Sequence, residues 1–377
     1  MSADPPSSWK PVRGAIHIHT AYDDGGGGME EILAAARTSG VDFLVVSDHF
    51  FPHAAEHGWA GWQNGGRVLV VAATEFRTRR KHDILALGPP LRLNTREMET
   101  PRALEELSAR GAVLFLAHPE GCRQLPFGRV RHPWEDWSLD TYAGLEIWDY
   151  MHDWVRSLSL GRLADMCRRP AAYIRGPREE ILRRWDEVAA HRKVAGLGGL
   201  DIHAKKAPRL VEWLLPWTRG GILPYHQNFA AFSHYALVPE SWGREARGGE
   251  GTAETGERDT SDILRALAQG HGWVAREELA PGRDFFYALE EKSKPGRALT
   301  RPMGTETPYR PGQRLIVRTP ERASIRLRMR GAVLAETRGE ELVHEPSGAG
   351  EYRVEVFLRG EPWIYSNHIY LRTARTE

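Results

Sequence analysis

Histidines and carboxylates in this chain gather in short motifs whose spacing suits metal ligation. His17 and His19 stand at i and i+2 in GAIHIHT. On an extended strand these positions face the same side, so one ion can take both imidazoles. Asp24 follows in the next loop. Asp48 and His49 end VVSDH, Glu75 ends AATE, His82 follows a charged turn, and His118 ends LFLAH. Glu146 lies in GLEIW, and Asp201 with His203 repeat the i, i+2 spacing in GLDIH. Imidazole with carboxylate suits Zn, Mn or Fe. Taken singly, a strand-end histidine is more often a hydrogen-bonded surface residue, and a glutamate in an apolar run is often paired with a buried arginine. The joint placement carries the weight, because the two i, i+2 pairs, the Asp48–His49 pair, Glu75 and His118 all sit at the carboxyl ends of successive apolar runs. In a parallel barrel those ends share one face, where active sites are built.

The elements that must position these residues alternate between strand-like and helix-like. Residues 14–19 are short and β-branched, and 42–47 (DFLVVS) and 67–74 (RVLVVAAT) are continuous apolar runs of the kind buried parallel strands show. Further strands are expected over 82–87, 113–117, 144–148 and 194–200. Helices are expected over 29–39 (with Gly40 as cap), 101–110, 181–191 and 261–269. Such βα repeats imply a parallel sheet or a barrel. Residues 153–177, rich in arginine, read as a helical insertion over one face. Residues 243–262 carry almost no apolar side chain and read as a mobile, nick-sensitive loop, a lid or plain linker. From about residue 283 only short alternating runs follow (285–289, 315–319, 324–329, 333–336, 351–358 and 364–372), the pattern of a β-sandwich of roughly 90 residues.

Composition narrows the class. The 377 residues allow about two domains, or a barrel with an appendage. A hydrophobic fraction of 41% is ordinary for a globular chain, and a net charge of +1 indicates neither a nucleic-acid nor a membrane surface. The two cysteines, Cys122 and Cys167, form no CxxC pair and no disulfide framework, and a structural role is expected for Cys122. No apolar run marks a leader or a span, so a cytoplasmic enzyme acting on a small molecule is the expectation.

The motifs HIHT (17–20), SDH (47–49), ATE (73–75), AHP (117–119) and LDIH (200–203) resemble those of the PHP (polymerase and histidinol phosphatase) superfamily, over about residues 12–280. The family's fourth motif usually reads SDAH; here Leu200 and Ile202 replace its serine and alanine, while Asp201 and His203 are kept. The tail, ending PWIYSNHIYLR, looks like that of PHP proteins related to carbaryl hydrolase. The resemblance implies an α/β fold: a distorted (β/α)7 TIM-like barrel over 1–282, with an all-β Ig-like sandwich over 283–377. It implies two or three divalent transition-metal ions. His17, His19, Glu75 and Asp201 would hold the first. Glu75 would bridge to a second, held by His82 and His118. Asp24, His49 and His203 would hold a third, with Asp48 and Glu146 orienting imidazoles from behind. Glu75, Asp201 and His203 would be the catalytic set.

Ions set against Glu75, Asp24 and Asp201 leave a positive excess, which favours a dianionic phosphate. Two ions sharing a water lower its pKa toward ~7, so a metal-bridging hydroxide is the expected nucleophile. Lys81, Lys205 and Lys206 are candidate phosphate contacts, though each alone is more often a solvated charge. Tyr225, His226 and His234 are candidates to touch substrate or to donate a proton to the leaving group. The leading expectation is a phosphoesterase for a small organic phosphate. The alternative is a carbamate, ester or amide hydrolase, kept open by Trp59, Trp62, Trp134, Trp137 and Trp148. A non-catalytic metal-binding module is a third reading, against which the intact ligand set speaks.

Overall fold

A computed structural model describes residues 9–125, 128–205, 222–294 and 297–373, with side chains except at 122–131, 160 and 292–298. The expected roles of the Cys122 side chain and of Lys206 lie outside the described residues.

The apolar runs form strands buried on both faces. They are β1 (Trp9–Ile18), β2 (Phe43–Val46), β3 (Val68–Arg77), β4 (Asp83–Leu87), β5 (Val113–Leu116), β6 (Gly144–Asp149) and β7 (Ala195–Gly199). Alternate residues feed two apolar clusters. Phe43, Val45, Leu69, Val71, Leu85 and Phe115 enter one; Leu44, Val46, Val68, Val70, Ile84 and Leu116 enter the other. A strand covered on both sides has no polar face to show, so its run is continuous. Helices α1 (Met29–Thr38), α2 (Thr100–Ala109), α3 (Tyr150–Val155) and α4 (Glu179–His191) lie between these strands.

The strands pair in sequence. β1–β2 and β2–β3 are parallel, β3–β4 and β4–β5 antiparallel, and β5–β6 and β6–β7 parallel. The chain beyond β7 then bonds back to β1: Leu200 N donates to Ile16 O (2.8 Å) and Ile202 N to His17 O (3.2 Å). The series of pairings thus returns to its first strand. The expectation of an all-parallel arrangement is corrected at β4, which reverses after a short turn at residues 78–82. The reversal brings the start of β4 to the end where its neighbours finish.

The other end of β1 pairs antiparallel with β8 (Ser233–Pro239), which follows helix α5 (Tyr225–Ala231). β8 pairs with β9 (Gly272–Ala275), and β9 with a strand of the tail. The longer tail strands are β10 (Phe286–Lys294), β11 (Arg297–Pro302), β12 (Arg314–Met329), β13 (Ala332–His344), β14 (Gly350–Leu358), β15 (Glu361–Ser366) and β16 (Ile369–Arg372). They are mostly antiparallel and bury a core around Leu289, Val317, Ile325, Val354 and Trp363, which Tyr235 of β8 and Trp273 of β9 join.

Residues 243–262 are not the loop expected from their polarity. Helix α6 spans Ala253–Gln269 and a short helical turn spans Arg244–Arg247. Thr252 caps α6 by accepting from Thr255 N. Asp259 is fully buried, and its carboxylate accepts from Trp62 Nε1 (3.0 Å) and Gly243 N (3.1 Å). Apolar spacing could not reveal a segment anchored by one buried carboxylate and a cap.

A buried ion cluster ties α4 to the tail. Arg353 on β14 meets the Asp186 carboxylate through Nε (2.6 Å) and Nη2 (2.9 Å), and Glu355 through Nη1 (2.6 Å). His368, between β15 and β16, adds a contact to Asp186 at 2.9 Å. Removing one member strands the others without compensation. Arg353→Ala is therefore expected to cost about 3–5 kcal/mol, read from denaturant midpoints. A loss below about 1 kcal/mol would show that the cluster behaves as an exposed pair does.

Candidate metal centre

The two i, i+2 motifs lie side by side. His17–Ile18–His19 and Asp201–Ile202–His203 flank a parallel bridge between Ile18 and Ile202, closed by His19 N donating to Ile202 O (3.0 Å). Neither is a regular strand: φ is +68° at His17 and +44° at Asp201, and +27° at His118. Side chains other than glycine rarely hold this region, and such strain concentrates where geometry serves function. The strained turns aim His17, Asp201 and His118 at one point.

Two buried carboxylates sit at that point, and each faces two groups of imidazoles. Glu75 Oε2 lies 3.4 Å from His17 Nε2, 3.3 Å from His19 Nε2 and 3.1 Å from His49 Nδ1; its Oε1 lies 3.1 Å from His118 Nε2. Asp201 Oδ1 lies 3.4 Å from both His17 Nε2 and His19 Nε2; its Oδ2 lies 3.3 Å from His152 Nε2. Asp24 completes a further group, with Oδ1 3.1 Å from His203 Nε2 and 3.7 Å from His19 Nδ1. Three sets of ligand atoms result: His17, His19, Glu75 and Asp201; His19, Asp24, His49 and His203; and His118, His152 and Asp201.

These sets fit divalent ions. Nε2 of His17, both ring nitrogens of His19 and Nδ1 of His49 are buried and make no hydrogen bond. Ligands about 2.1 Å from a common ion stand about 3.0–3.4 Å apart, which is the spacing of these nitrogens and oxygens. A buried imidazole with no donor or acceptor partner is costly unless it binds a proton or an ion.

Supporting contacts hold the ligands in place. Glu146 Oε1 accepts from His17 Nδ1 (2.9 Å), and Oε2 accepts from His118 N (2.7 Å). That carboxylate needs Gly199, since a Cβ there would fall 1.8 Å from Glu146 Oε1. Asp48 accepts from Thr20 N (2.6 Å) and Oγ1 (2.7 Å), fixing the loop after His19 rather than an imidazole. Tyr225 donates to His19 O (2.7 Å), so it braces the backbone behind the site.

Several expected residues lie elsewhere. His82 is corrected as a ligand: its Nδ1 faces Thr100 Oγ1 (3.0 Å) and its Nε2 faces Pro133 O (3.1 Å), so both ring nitrogens are engaged away from the cluster. His152 takes the place beside His118, their rings stacked at 4.3 Å. Its signal was present in WDYMHDW: Asp149 ends an apolar run and caps α3 by accepting from His152 N (2.7 Å), which fixes that histidine at the strand end. His234 is corrected as a substrate contact. It lies buried in β8, opposite Gly14, with Nδ1 accepting from Gly198 N (3.3 Å), and burial pushes its pKa down to about 3. His226 stands exposed on α5, and no contact of its ring with the cluster is found among the described residues. Lys205 reaches Asp24 at 3.2 Å, and Lys81, exposed and at φ +63°, lines a cleft of about 320 Å³ beside His118 and His152. Arg77, His132 and Trp134 line the same cleft.

No family model matches the chain, and no curated protein matches it. Among solved structures it is similar to a two-domain protein from Bacteroides vulgatus containing a predicted PHP-like metal-dependent phosphoesterase. The identity is 12%, 98% of each chain is covered, and the TM-score is 0.41. It is also similar to a protein from Bifidobacterium adolescentis named as a proposed metal-dependent phosphoesterase, at 15% identity and a TM-score of 0.33, covering 52% of this chain and 89% of that one. The chemistry of the site rests on its own geometry.

Electrostatics sets a test. Burial opposes charge on His19 and His118, yet the close carboxylates of Asp201 and Glu75 (joined by Asp83 at His118) outweigh it, lifting His19 to about 9 and His118 to about 10. Burial likewise opposes charge on Glu75 and Asp201, and the surrounding imidazoles hold both well below the usual carboxylate range. Raised histidines stabilise the metal-free fold fully below about 6.5 and lose that contribution as pH rises through 9–10. Depressed carboxylates contribute above their unfolded values and lose it in acid. Chelator-treated protein should therefore be most stable near pH 5–6.5 and weaken toward pH 10. Zn or Mn should remove that alkaline loss and release protons on binding. Thermal midpoints against pH, with and without metal, check this; identical curves would refute it.

Proposed function

We propose that this chain is a metal-dependent phosphoesterase of the PHP type acting on a small organic phosphate. In this reading, residues 1–282 form a distorted seven-stranded (β/α) barrel and 283–377 an Ig-like sandwich. The reading is supported above all by the two shared carboxylates. Glu75 and Asp201 each turn one oxygen to His17 and His19, and the other to His118 or His152. Two cations close together need anions between them, and a carboxylate with separated partners supplies one. Divalent ions held there would polarise a phosphate, acidify a water and take up charge in the transition state.

The chain's own residues supply the rest. Glu146 orients His17 and anchors the backbone of His118, while Asp149 fixes the turn that carries His152. Lys81 lines the cleft, and no carboxylate pairs with its ammonium among the described residues, so it is available to an anionic substrate. Arg77 is already held by Asp83, at 2.6 and 2.8 Å. His132, with Nε2 unpartnered, lines the same cleft and in this reading would give a proton to the leaving oxygen. The carbamate, ester or amide alternative required an aromatic pocket. Trp148 is buried, Trp62 is tied to Asp259 and Trp59 to Tyr22, and of the five tryptophans only Trp134 lines the cleft. No helix among the described residues is long and apolar enough to cross a membrane.

Purified protein is expected to hold more than one transition-metal equivalent per chain. Glu75→Gln, which keeps shape but removes charge, should cut p-nitrophenyl phosphate turnover roughly a thousandfold or more, and lower metal content with it. His203→Ala removes the nitrogen that faces Asp24 and a longer contact to Asp201 Oδ1 (3.6 Å) while leaving both shared carboxylates in place, and should keep partial activity. If Glu75→Gln retains turnover and metal while His203→Ala is dead, the shared carboxylate has been misassigned.

A further inference from the structure

The loop after His49 builds a second cleft, which shares no lining residue with the one that Lys81 lines. Phe50 holds φ +60°, a conformation a bulky side chain seldom adopts. It is pinned by Phe50 N donating to Glu75 O (3.1 Å) and Phe51 N donating to His49 O (2.7 Å). The Phe50 ring lies 6.0 Å from the His49 ring, and Phe51 stands 44% exposed. Among described residues before the tail, the exposed large apolar side chains are Phe51 and Tyr22, which stand two positions from His49 and Asp24 of the cluster. The cleft, about 420 Å³, is lined by Phe50, Phe51, Arg92, Leu93, Asn94 and Arg96.

Its two arginines differ. Arg92 lies over Phe51 at 5.3 Å and is neutralised by Glu56 at 2.6 Å. Arg96 lies over Phe50 at 3.9 Å, and no carboxylate pairs with it among the described residues. A guanidinium stacked on a ring loses little freedom on binding, because one face is covered while its edge donors and other face stay open. That arrangement recognises an anion carried on a planar group.

We infer that this cleft, with Arg96 as its anchor, is a specificity subsite for a second anionic group at the far end of an aromatic substrate, carboxylate or phosphate. The inference rests on the phosphoesterase reading. It places Arg96 and the Phe50 ring in substrate choice rather than in the chemical step. A substrate bearing a second anion would be preferred over the same aryl phosphate without one.

The test is a binding titration on metal-loaded protein with non-hydrolysable ligands. Phenylphosphonate is compared with its meta- and para-carboxyphenyl analogues and with the corresponding benzene bisphosphonates. Wild type should bind at least one doubly anionic ligand about tenfold more tightly than phenylphosphonate, and Arg96→Gln should bring that ratio toward one. Whether the carboxylate or the bisphosphonate series gains more identifies the anion. Phenylphosphonate binding with a ratio near one in wild type, or a ratio unmoved in Arg96→Gln, overturns the subsite alone. Failure of every phosphonate to bind overturns the phosphoesterase reading, and the subsite with it.

Discussion

Two buried carboxylates, Glu75 and Asp201, set the terms for this end of the molecule. An unpaired carboxylate out of water is untenable, so the chain must surround both with groups that carry or accept positive charge. It does so with His17, His19, His49, His118, His152 and His203, drawn from five separate stretches of sequence. No local stretch could supply that many partners. The ring of strands exists, in this sense, to bring distant histidines to two acids, and the strands' apolar residues supply the burial that makes the acids need them.

Such convergence demands backbone that ordinary strand geometry does not provide. The strands end, the conformation turns to positive φ at His17, His118 and Asp201, and each side chain is redirected inward. Those conformations cost of order 1–3 kcal/mol each and persist only where surroundings over-determine them. Here the Ile18–Ile202 bridge, the Glu146 contacts and the Tyr225 brace do so. The reversed strand β4 serves the same end. By running antiparallel it returns the chain to the site within a short turn and places Lys81 at the lip of a cleft, where a helical crossover would have left loop.

Much of this was legible in the sequence because it follows from period and position. Continuous apolar runs marked β2, β3 and β5, and the polar residues that end them marked the cluster. What escaped depends on three-dimensional partners. His82 has the same sequence surroundings as a ligand, a charged turn before a strand, and only the placement of Thr100 and Pro133 takes its ring away. His152 was overlooked because it lies in the first turn of α3, three residues past the Asp149 that ends its apolar run. Residues 243–262 looked disordered since their order depends on Asp259, a buried charge, and composition counts such a residue as a mark of solvent. His234 shows the converse: a histidine beside aromatic residues looked functional, yet it sits within a sheet and is held neutral by burial.

Charge balance also bears on which ligands the centre can attract. Glu75, Asp201 and Asp24 are held ionised by imidazoles that are themselves charged only while protonated or replaced as ligands of a cation. The centre is therefore near neutral with protons and clearly positive with divalent ions, since each ion brings two charges where a proton brings one. An anion is drawn to the second state and not to the first. The two clefts share that preference: Lys81 in one and Arg96 in the other have no carboxylate partner among the described residues, whereas Arg77 and Arg92 beside them are neutralised by Asp83 and Glu56. One uncommitted cation per cleft attracts an anion without letting the clefts' own carboxylates compete for it. In the phosphoesterase reading, loading the centre and admitting the substrate would be coupled steps, because the field that draws an anion would be created by the ions that act on it.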